Sequence, residues 1–298
     1  MIVNHNNNAI KLPDIFLVGA AKSGTTTIAS ILDQHPKISI PRKEPGFFSH
    51  MNKKFEEIDA VERDRQLTKI ADYINLYKNV RDEDLIADCS VKYLVTHKDS
   101  IKNIKEVYGE LSQELKIIII IRNPIDRAFS HYNMLLKNSY ETLSFEEAIL
   151  PENAAKRRHL RLGFDYINFG LYYSQIKAFK DNFKHVKVFL FEDLKNIESL
   201  NKDLFQYLNI NLPDKIDTSI SLNPSGIPKH RWLIKLVRED SFIKSILKKL
   251  FFAKHKHRLL KIKSDLIRFS VRKNTLNQGT RAELKEFYKE DLQKLEEL

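Results

Sequence analysis

The chain has 298 residues, of which 42% are hydrophobic, including 18 Phe and 11 Tyr; this composition supports a substantial core and excludes a disordered protein. The net charge is +11, but residues 227–274 hold 15 basic and three acidic residues, so the rest of the chain carries −1. A charge confined to one segment argues against nucleic-acid binding, and the single cysteine, Cys89, excludes an intrachain disulfide.

The polar N terminus and the short aliphatic runs predict a soluble protein. The first twelve residues are polar and rich in asparagine, which indicates a flexible N terminus. The longest aliphatic run, residues 117–121, is far shorter than the roughly 20 residues that a membrane-spanning helix needs. We therefore expect a cytoplasmic protein.

In chain order, short aliphatic segments alternate with segments of helical periodicity. Strands are predicted at residues 13–19, 84–90, 116–122 and 186–194, with a strand end and an ordered loop within 38–50. Helices are predicted at residues 25–35, 54–77, 97–109, 124–137 and 171–183, and from about 195 to 208. This alternation predicts an α/β fold of three layers with a mainly parallel central sheet, whose ligand binds at the carboxyl ends of the strands.

The first loop of this pattern, VGAAKSGTTT at residues 18–27, resembles a phosphate-binding loop. Its two glycines have the usual spacing, but Lys22 precedes the second glycine instead of following it. Between a strand and a helix, such a loop offers backbone N–H groups and the positive end of the helix dipole to an anion. The alternative is a tight turn with a surface lysine.

A second motif, RNPIDRAFSHY at residues 122–132, follows a neighbouring strand. Arg122 offers a planar fork to a phosphate, Pro124 suits a first helical turn, and Ser130 lies about two turns later. Two phosphate-binding motifs imply a donor with two separated phosphate groups. The alternative is that residues 122–132 are an ordinary strand–helix junction, which has the same sequence pattern. An ATP-dependent kinase is disfavoured by the position of Lys22 and by Arg122, which stands where a Mg²⁺-binding Asp is expected.

Together the two motifs resemble the sulfotransferases that use PAPS (3′-phosphoadenosine 5′-phosphosulfate), in particular their carbohydrate branch, which includes the heparan sulfate enzymes, and bacterial members. The other matching segments are PRKEPGFFS (41–49), ADCSVKYL (87–94), FGLYYSQIKAFKDNF (169–183), VKVFLFEDL (186–194) and NPSGIPKHRWL (223–233). The resemblance covers residues 13–233 and implies one domain with a P-loop-NTPase-like sulfotransferase fold.

The resemblance implies a set of donor contacts that need no metal. Lys22 contacts the bridging oxygen of the phosphosulfate, and Arg122 and Ser130 hold the 3′-phosphate. The 5′-phosphosulfate is held by Ser23, Gly24, Thr25, Thr26 and Thr27. Two residues of a closing loop are also implied to reach the donor phosphates: Lys229 and Arg231.

On the acceptor side, the resemblance implies that Glu44 is the general base toward a hydroxyl or amine of a carbohydrate or glycolipid. A lysine that contacts the acceptor in the heparan branch is replaced here by Cys89. We expect Asp88 and Lys92 to substitute for it. A non-catalytic nucleotide-binding protein at a membrane surface is the alternative function.

Residues 234–298 are predicted to form a basic, helical C-terminal extension on or next to the domain. Apolar residues recur at spacings of three and four, which indicates an amphipathic helix with Lys and Arg on its other face. This helix packs on the core, lines a cleft for an anionic acceptor, or rests on an anionic membrane surface.

Overall fold

The computed structural model describes residues 1–5, 8–54, 58, 66–81, 84–138, 140–158, 162–217, 227–228, 271–272 and 275–298. Its strands are β1 (Ile2–His5), β2 (Asn8–Lys11), β3 (Ile15–Gly19), β4 (Ile38–Ser39), β5 (Leu85–Asp88), β6 (Lys116–Ile121), β7 (His185–Leu190), β8 (Ile227–Pro228) and β9 (Val271–Arg272). Short 3₁₀ helices span Gly109–Glu114, Leu162–Phe164, Asn168–Gly170 and Phe191–Lys195.

The α-helices of the described residues are, in chain order, α1 (Thr25–Asp33), α2 (Phe47–His50), α3 (Ile70–Asn75), α4 (Lys92–Val95), α5 (His97–Tyr108), α6 (Pro124–Lys137), α7 (Phe145–Ile149), α8 (Pro151–Arg158), α9 (Tyr172–Asn182), α10 (Ile197–Leu208) and α11 (Gln278–Glu296). None of these helices is long and apolar enough to cross a membrane, within the part of the chain that the structure describes.

A five-stranded sheet in the order β4-β5-β3-β6-β7 forms the centre of the molecule. Every neighbouring pair in it is parallel. Parallel strands are covered on both faces, which explains why five successive isoleucines follow Lys116 in β6. The predicted α/β fold with a parallel central sheet is confirmed, and β3 and β6 lie side by side at its middle.

The side chains of the two central strands alternate between two separate apolar clusters. Phe16, Val18, Ile117, Ile119 and Ile121 join the cluster that includes residues of α5 and α9. Ile15, Leu17, Ile118 and Ile120 join the cluster that includes residues of α1 and α10. The sheet is therefore the middle layer of three, and the carboxyl ends of β3 and β6 open toward the same edge.

A third apolar cluster lies beside the sheet and includes residues of α6, α7 and the C-terminal helix α11. Leu284 and Tyr288 of α11 are buried there, and the Tyr288 hydroxyl donates to the carbonyl of Ile167 at 2.7 Å. Arg281 forms an ion pair with Asp126 of α6 at 2.5 Å. The end of the chain thus packs against the segment that follows β6.

Three predicted segments differ from the structure or lie beyond its described part. Residues 1–12 contain the antiparallel hairpin β1–β2, with Val3 and Leu12 buried, so packing orders a segment whose composition indicated flexibility. Of the helix predicted at 54–77, residues 55–57 and 59–65 lie outside the described residues, and of the described ones only Ile70–Asn75 (α3) is helical, so the prediction is too long at least over 66–69. The strand predicted to residue 194 ends at Leu190 and continues as a 3₁₀ helix.

Candidate active site

The loop between β3 and α1 ends in a helix terminus that is open to an anion. Gly24 is the N-cap of α1 with φ 95°, a left-handed conformation that favours glycine, and a Cβ at this position would also push against Cδ1 of Leu194. The helix has no side-chain cap and no acidic residue in its first turn. Its first N–H groups therefore lack a capping side chain, and its dipole is not offset by a carboxylate.

The residues of the loop differ in exposure. Thr25 and Thr27 are buried, Thr26 is exposed, and the side chain of Ser23 is fully buried. Ser23 also donates its backbone N–H to the carbonyl of Ala20 at 3.2 Å within the loop. The hydroxyl of Thr26 is therefore the most accessible of the four at this terminus.

Lys22 lies at the centre of a group of charges. Its backbone has φ 71°, a left-handed conformation that is uncommon outside glycine, and its side chain is half-buried. Burial lowers the pKa of Lys22, the positive charges of Arg122 and Lys137 lower it further, and the negative charge of Glu44 opposes them. Three cations and one carboxylate thus act on the same small region.

Arg122 connects the two central strands at their carboxyl ends. It follows β6 directly, and its Nη1 donates to the carbonyl oxygen of Lys22 at 3.4 Å. Its guanidinium lies over the ring of Phe191 at 4.4 Å from the centroid, and its own carbonyl accepts the hydroxyl of Tyr172 at 3.0 Å. The structure therefore brings Lys22 and Arg122 together from residues one hundred positions apart.

Ser130 lies on the helix that begins just after Arg122. Asn123 caps this helix, α6, by accepting the N–H groups of Ile125 at 3.1 Å and Asp126 at 3.3 Å, and Pro124 occupies its first turn. Ser130 is buried on it. Strand end, cap and helix thus form one unit that carries both residues expected to bind a 3′-phosphate.

Glu44 lies on an exposed loop whose backbone is also unusual. Glu44 has φ 53° and Gly46 has φ 66°, so two residues of this short loop are left-handed. The Glu44 side chain is exposed, and its charge acts on the pKa values of both Lys22 and Asp88. The predicted base therefore lies near the predicted donor lysine.

The prediction that Asp88 contacts the acceptor is wrong, because its side chain is fully buried. Its carboxylate accepts hydrogen bonds from the hydroxyls of Tyr73 and Tyr93, both at 2.8 Å, and of Ser90 at 2.5 Å. Burial raises the pKa of Asp88 to about 6 in spite of these hydrogen bonds. Asp88 is a core residue whose two carboxylate oxygens both accept hydrogen bonds from protein hydroxyls.

Of the remaining predicted residues, the structure describes two and does not describe the other two. Cys89 is buried, and burial raises the pKa of its thiol. Lys92 is half-buried at the first position of α4, and its contact with an acceptor stays a prediction. Lys229 and Arg231 lie outside the described residues.

Sequence reasoning missed Lys137 and Tyr172. Lys137 lies in the last turn of α6, seven residues after Ser130, and residues seven apart share a helix face. That spacing is the signal that could have identified Lys137.

Among the described residues, no group of three or more His, Cys, Asp or Glu side chains could hold a metal ion.

Comparison with known proteins identifies the family of this architecture. The family model described as the sulfotransferase family matches residues 13–168. The chain is also similar to the crystal structure of a sulfotransferase from Alicyclobacillus acidocaldarius, with 33% identity and a TM-score of 0.63. That similarity covers 72% of this chain and 88% of the other.

Two similar proteins carry names that refer to heparan sulfate. Heparan sulfate glucosamine 3-O-sulfotransferase 6 of Mus musculus is 27% identical over 150 residues, which are 49% of this chain and 38% of the mouse protein. Bifunctional heparan sulfate N-deacetylase/N-sulfotransferase 1 of Caenorhabditis briggsae is 28% identical over 127 residues, 43% of this chain and 13% of that protein. The chain thus matches well under half of the length of each.

Proposed function

Since the chain belongs to the sulfotransferase family, we propose that it transfers a sulfuryl group from PAPS to a hydroxyl or amine of a carbohydrate or glycolipid, releasing 3′-phosphoadenosine 5′-phosphate. One observation carries the proposal: Lys22 after β3 and Arg122 after β6 are in contact at the carboxyl ends of two neighbouring parallel strands, and the charge of Glu44, from a third loop, also acts on Lys22. This edge of a parallel sheet is where such folds bind their ligands.

The chemistry of the donor set fits an anion with two phosphate groups. The terminus of α1, with no side-chain cap, together with Thr25, Thr26 and Thr27, holds the 5′ end. Arg122 and Ser130 hold the 3′-phosphate, and Arg122 is suited to it by its planar fork of donors. Lys229 and Arg231 add contacts from the loop that follows.

Lys22 stabilises the negative charge that develops on the oxygen that leaves with the nucleotide. Sulfuryl transfer is in-line, so positioning and charge stabilisation supply most of the rate enhancement. The sulfuryl group carries less negative charge than a phosphoryl group, so a lysine suffices without a divalent metal. Glu44 takes the proton of the acceptor group, a step worth about 10²–10⁴-fold in rate.

The acceptor is proposed to be a carbohydrate or a glycolipid, with Lys92 beside it. The names of the mouse and nematode relatives support a carbohydrate. The basic segment 227–274 supports an anionic acceptor or contact with an anionic membrane, and we propose that the protein is cytoplasmic and peripheral at such a surface. Co-sedimentation with anionic liposomes tests this; binding that salt does not weaken, or no binding, would remove the membrane contact.

The test of the function is transfer of labelled sulfate from PAPS to a panel of glycans and glycolipids, with a chelator present. We expect Lys22→Ala to lower kcat by about 10²–10³-fold, and Glu44→Gln to lower turnover by about 10²–10⁴-fold with little change in donor affinity. Lys202→Ala and Glu198→Gln, both exposed on α10, are the matched controls.

Other outcomes of the same assay point elsewhere. Turnover of ATP with Mg²⁺ in preference to PAPS would replace the proposal with a kinase. Binding of PAPS without transfer to any acceptor of the panel would favour the non-catalytic alternative.

A further inference from the structure

A fully buried carboxylate stands behind the loop that carries Glu44. Asp88 accepts three hydroxyl hydrogen bonds, from Tyr73 of α3, from Tyr93 of α4 and from Ser90 between β5 and α4. Side-chain hydroxyls satisfy both of its oxygens, Oδ1 through Ser90 and Oδ2 through the two tyrosines. A carboxylate with this many hydroxyl donors fixes the direction in which each hydroxyl hydrogen points.

Two of the three hydroxyls also accept hydrogen bonds from the backbone of the Glu44 loop. The backbone N–H of Gly46 donates to Ser90 Oγ at 3.0 Å, and the N–H of Phe48 donates to Tyr93 Oη at 3.4 Å. Each hydroxyl has one hydrogen, and since that hydrogen is given to Asp88, its oxygen is left to accept. The carboxylate thus acts on the backbone two and four residues after Glu44.

The loop needs such support because its conformation is costly. A non-glycine residue in the left-handed region, as Glu44 is with φ 53°, persists only when its surroundings hold it. Gly46 with φ 66° turns the chain into α2, where Phe47 and Phe48 are fully buried. Asn103 also holds this helix by donating to the carbonyl of Phe48 at 2.8 Å.

We propose that Asp88 is a positioning residue that, through Ser90 and Tyr93, keeps the Glu44 carboxylate beside Lys22. The inference rests on the proposed function in one respect, the role of Glu44 as the base. It assigns to Asp88 a task that differs from contact with the acceptor. Tyr73 makes the same hydrogen bond to Asp88, but among the described residues its hydroxyl accepts no backbone N–H of the loop, and it therefore offers a matched control.

The first measurement is hydrogen exchange of the backbone amides of residues 46–48, which needs no substrate. We expect Asp88→Asn, Ser90→Ala and Tyr93→Phe each to raise the exchange rate of this segment by about tenfold, the effect of losing roughly 1.4 kcal/mol of local protection. Tyr73→Phe, which keeps its ring stacked on Phe47 at 4.5 Å, should leave the segment close to wild type. Equal exchange in the Tyr93 and Tyr73 variants would overturn the proposal.

The second measurement is kcat and donor affinity in the same variants. We expect kcat to fall by about tenfold or more in Asp88→Asn and Tyr93→Phe, with unchanged affinity for the nucleotide product, and no further fall when either change is added to Glu44→Gln. A further fall in the Glu44→Gln background would show that Asp88 acts by another route. Ser90→Ala and Tyr93→Phe decide the question even where Asp88→Asn does not fold.

The two proposals fail in different ways. Absence of sulfate transfer by the wild-type chain to every acceptor would remove the proposed function and leave the exchange result intact. Transfer with normal Glu44 dependence, but exchange and kcat unaffected by Ser90→Ala and Tyr93→Phe, would remove only the positioning role.

Discussion

Lys22 holds its positive charge where three effects oppose it, namely burial and the charges of Arg122 and Lys137. Such a cluster of cations is unfavourable in the protein alone and becomes favourable when an anion arrives. Burial is the largest cause of the lowered pKa of Lys22, and the two cations add to it; a perturbed lysine of this kind is typical of a functional site. Glu44 supplies only part of that charge, as the weakest of the named influences on Lys22.

Replacement of Lys137 tests this electrostatic account. Because the fold lowers the pKa of Lys22, its proton is lost at lower pH than from an ordinary lysine, and affinity for an anionic nucleotide should fall as pH rises through that value. Lys137→Met removes one opposing cation, so the pKa of Lys22 rises and the fall in affinity moves to higher pH. Calorimetric titration with 3′-phosphoadenosine 5′-phosphate at several pH values measures the shift.

Lys202→Met, on the exposed face of α10, is the control for the loss of a lysine and should leave the pH profile unchanged. A wild-type profile in Lys137→Met, or a shift to lower pH, would contradict the account.

At the level of single residues, the sequence predicted the placement of residues that directly follow a strand of the sheet. Lys22 and Arg122 follow two strands of a parallel sheet, and the carboxyl ends of such strands meet at one edge. The burial of Asp88 could not be predicted, because it depends on how Tyr73 of α3 and Tyr93 of α4 pack around it. That packing is tertiary and leaves no local pattern in the sequence.

At the scale of elements, local signals predicted some boundaries well. Asn123 as the cap and Pro124 in the first turn mark the start of α6, and its observed span agrees with the predicted 124–137. The hairpin β1–β2 could not be predicted, because its asparagine-rich sequence lacks a clear strand pattern and its order comes from burial of Val3 and Leu12.

The start of α9 is capped by a residue of another helix. Leu171, its own N-cap residue, supplies no side-chain hydrogen bond. Asp291 of α11 accepts the N–H of Tyr172 at 2.8 Å and of Tyr173 at 3.3 Å. Tyr172 then donates to the carbonyl of Arg122. The C-terminal helix thus supports the donor side of the site through α9.

Asp291→Ala should destabilise the protein by about 0.5–2 kcal/mol, the usual cost of a lost helix cap. The melting temperature should fall by roughly 2–4 °C for each kcal/mol. Glu290→Ala is the matched control, since Glu290 pairs only with Lys294 in what the structure records and is exposed. Thermal unfolding of the two variants measures the contribution of the cap to stability. Equal melting temperatures would show that the cap contributes nothing.

At the scale of the whole molecule, most of the positive charge lies in a different part of the sequence from Lys22 and Arg122. Residues 227–274 carry +12, whereas Lys22, Glu44 and Arg122 belong to the part that carries −1. We therefore expect recognition of the 5′ end of the donor to depend on a few placed charges more than on the net charge of the protein. The basic segment follows the region of the family match, and its proposed contact with the acceptor or a membrane surface stays a prediction.

The central claim is that the loop after β3 and Arg122 after β6 form one site for a nucleotide with two separated phosphate groups. Its most direct test is the affinity of 3′-phosphoadenosine 5′-phosphate and of 5′-AMP for the wild type and Arg122→Gln, with Arg281→Gln, a partly exposed ion-pair residue, as the control. We predict that Arg122→Gln weakens the bisphosphate by about 10- to 100-fold and 5′-AMP very little. Equal weakening of both nucleotides, or equal affinity of the wild type for both, would contradict the claim.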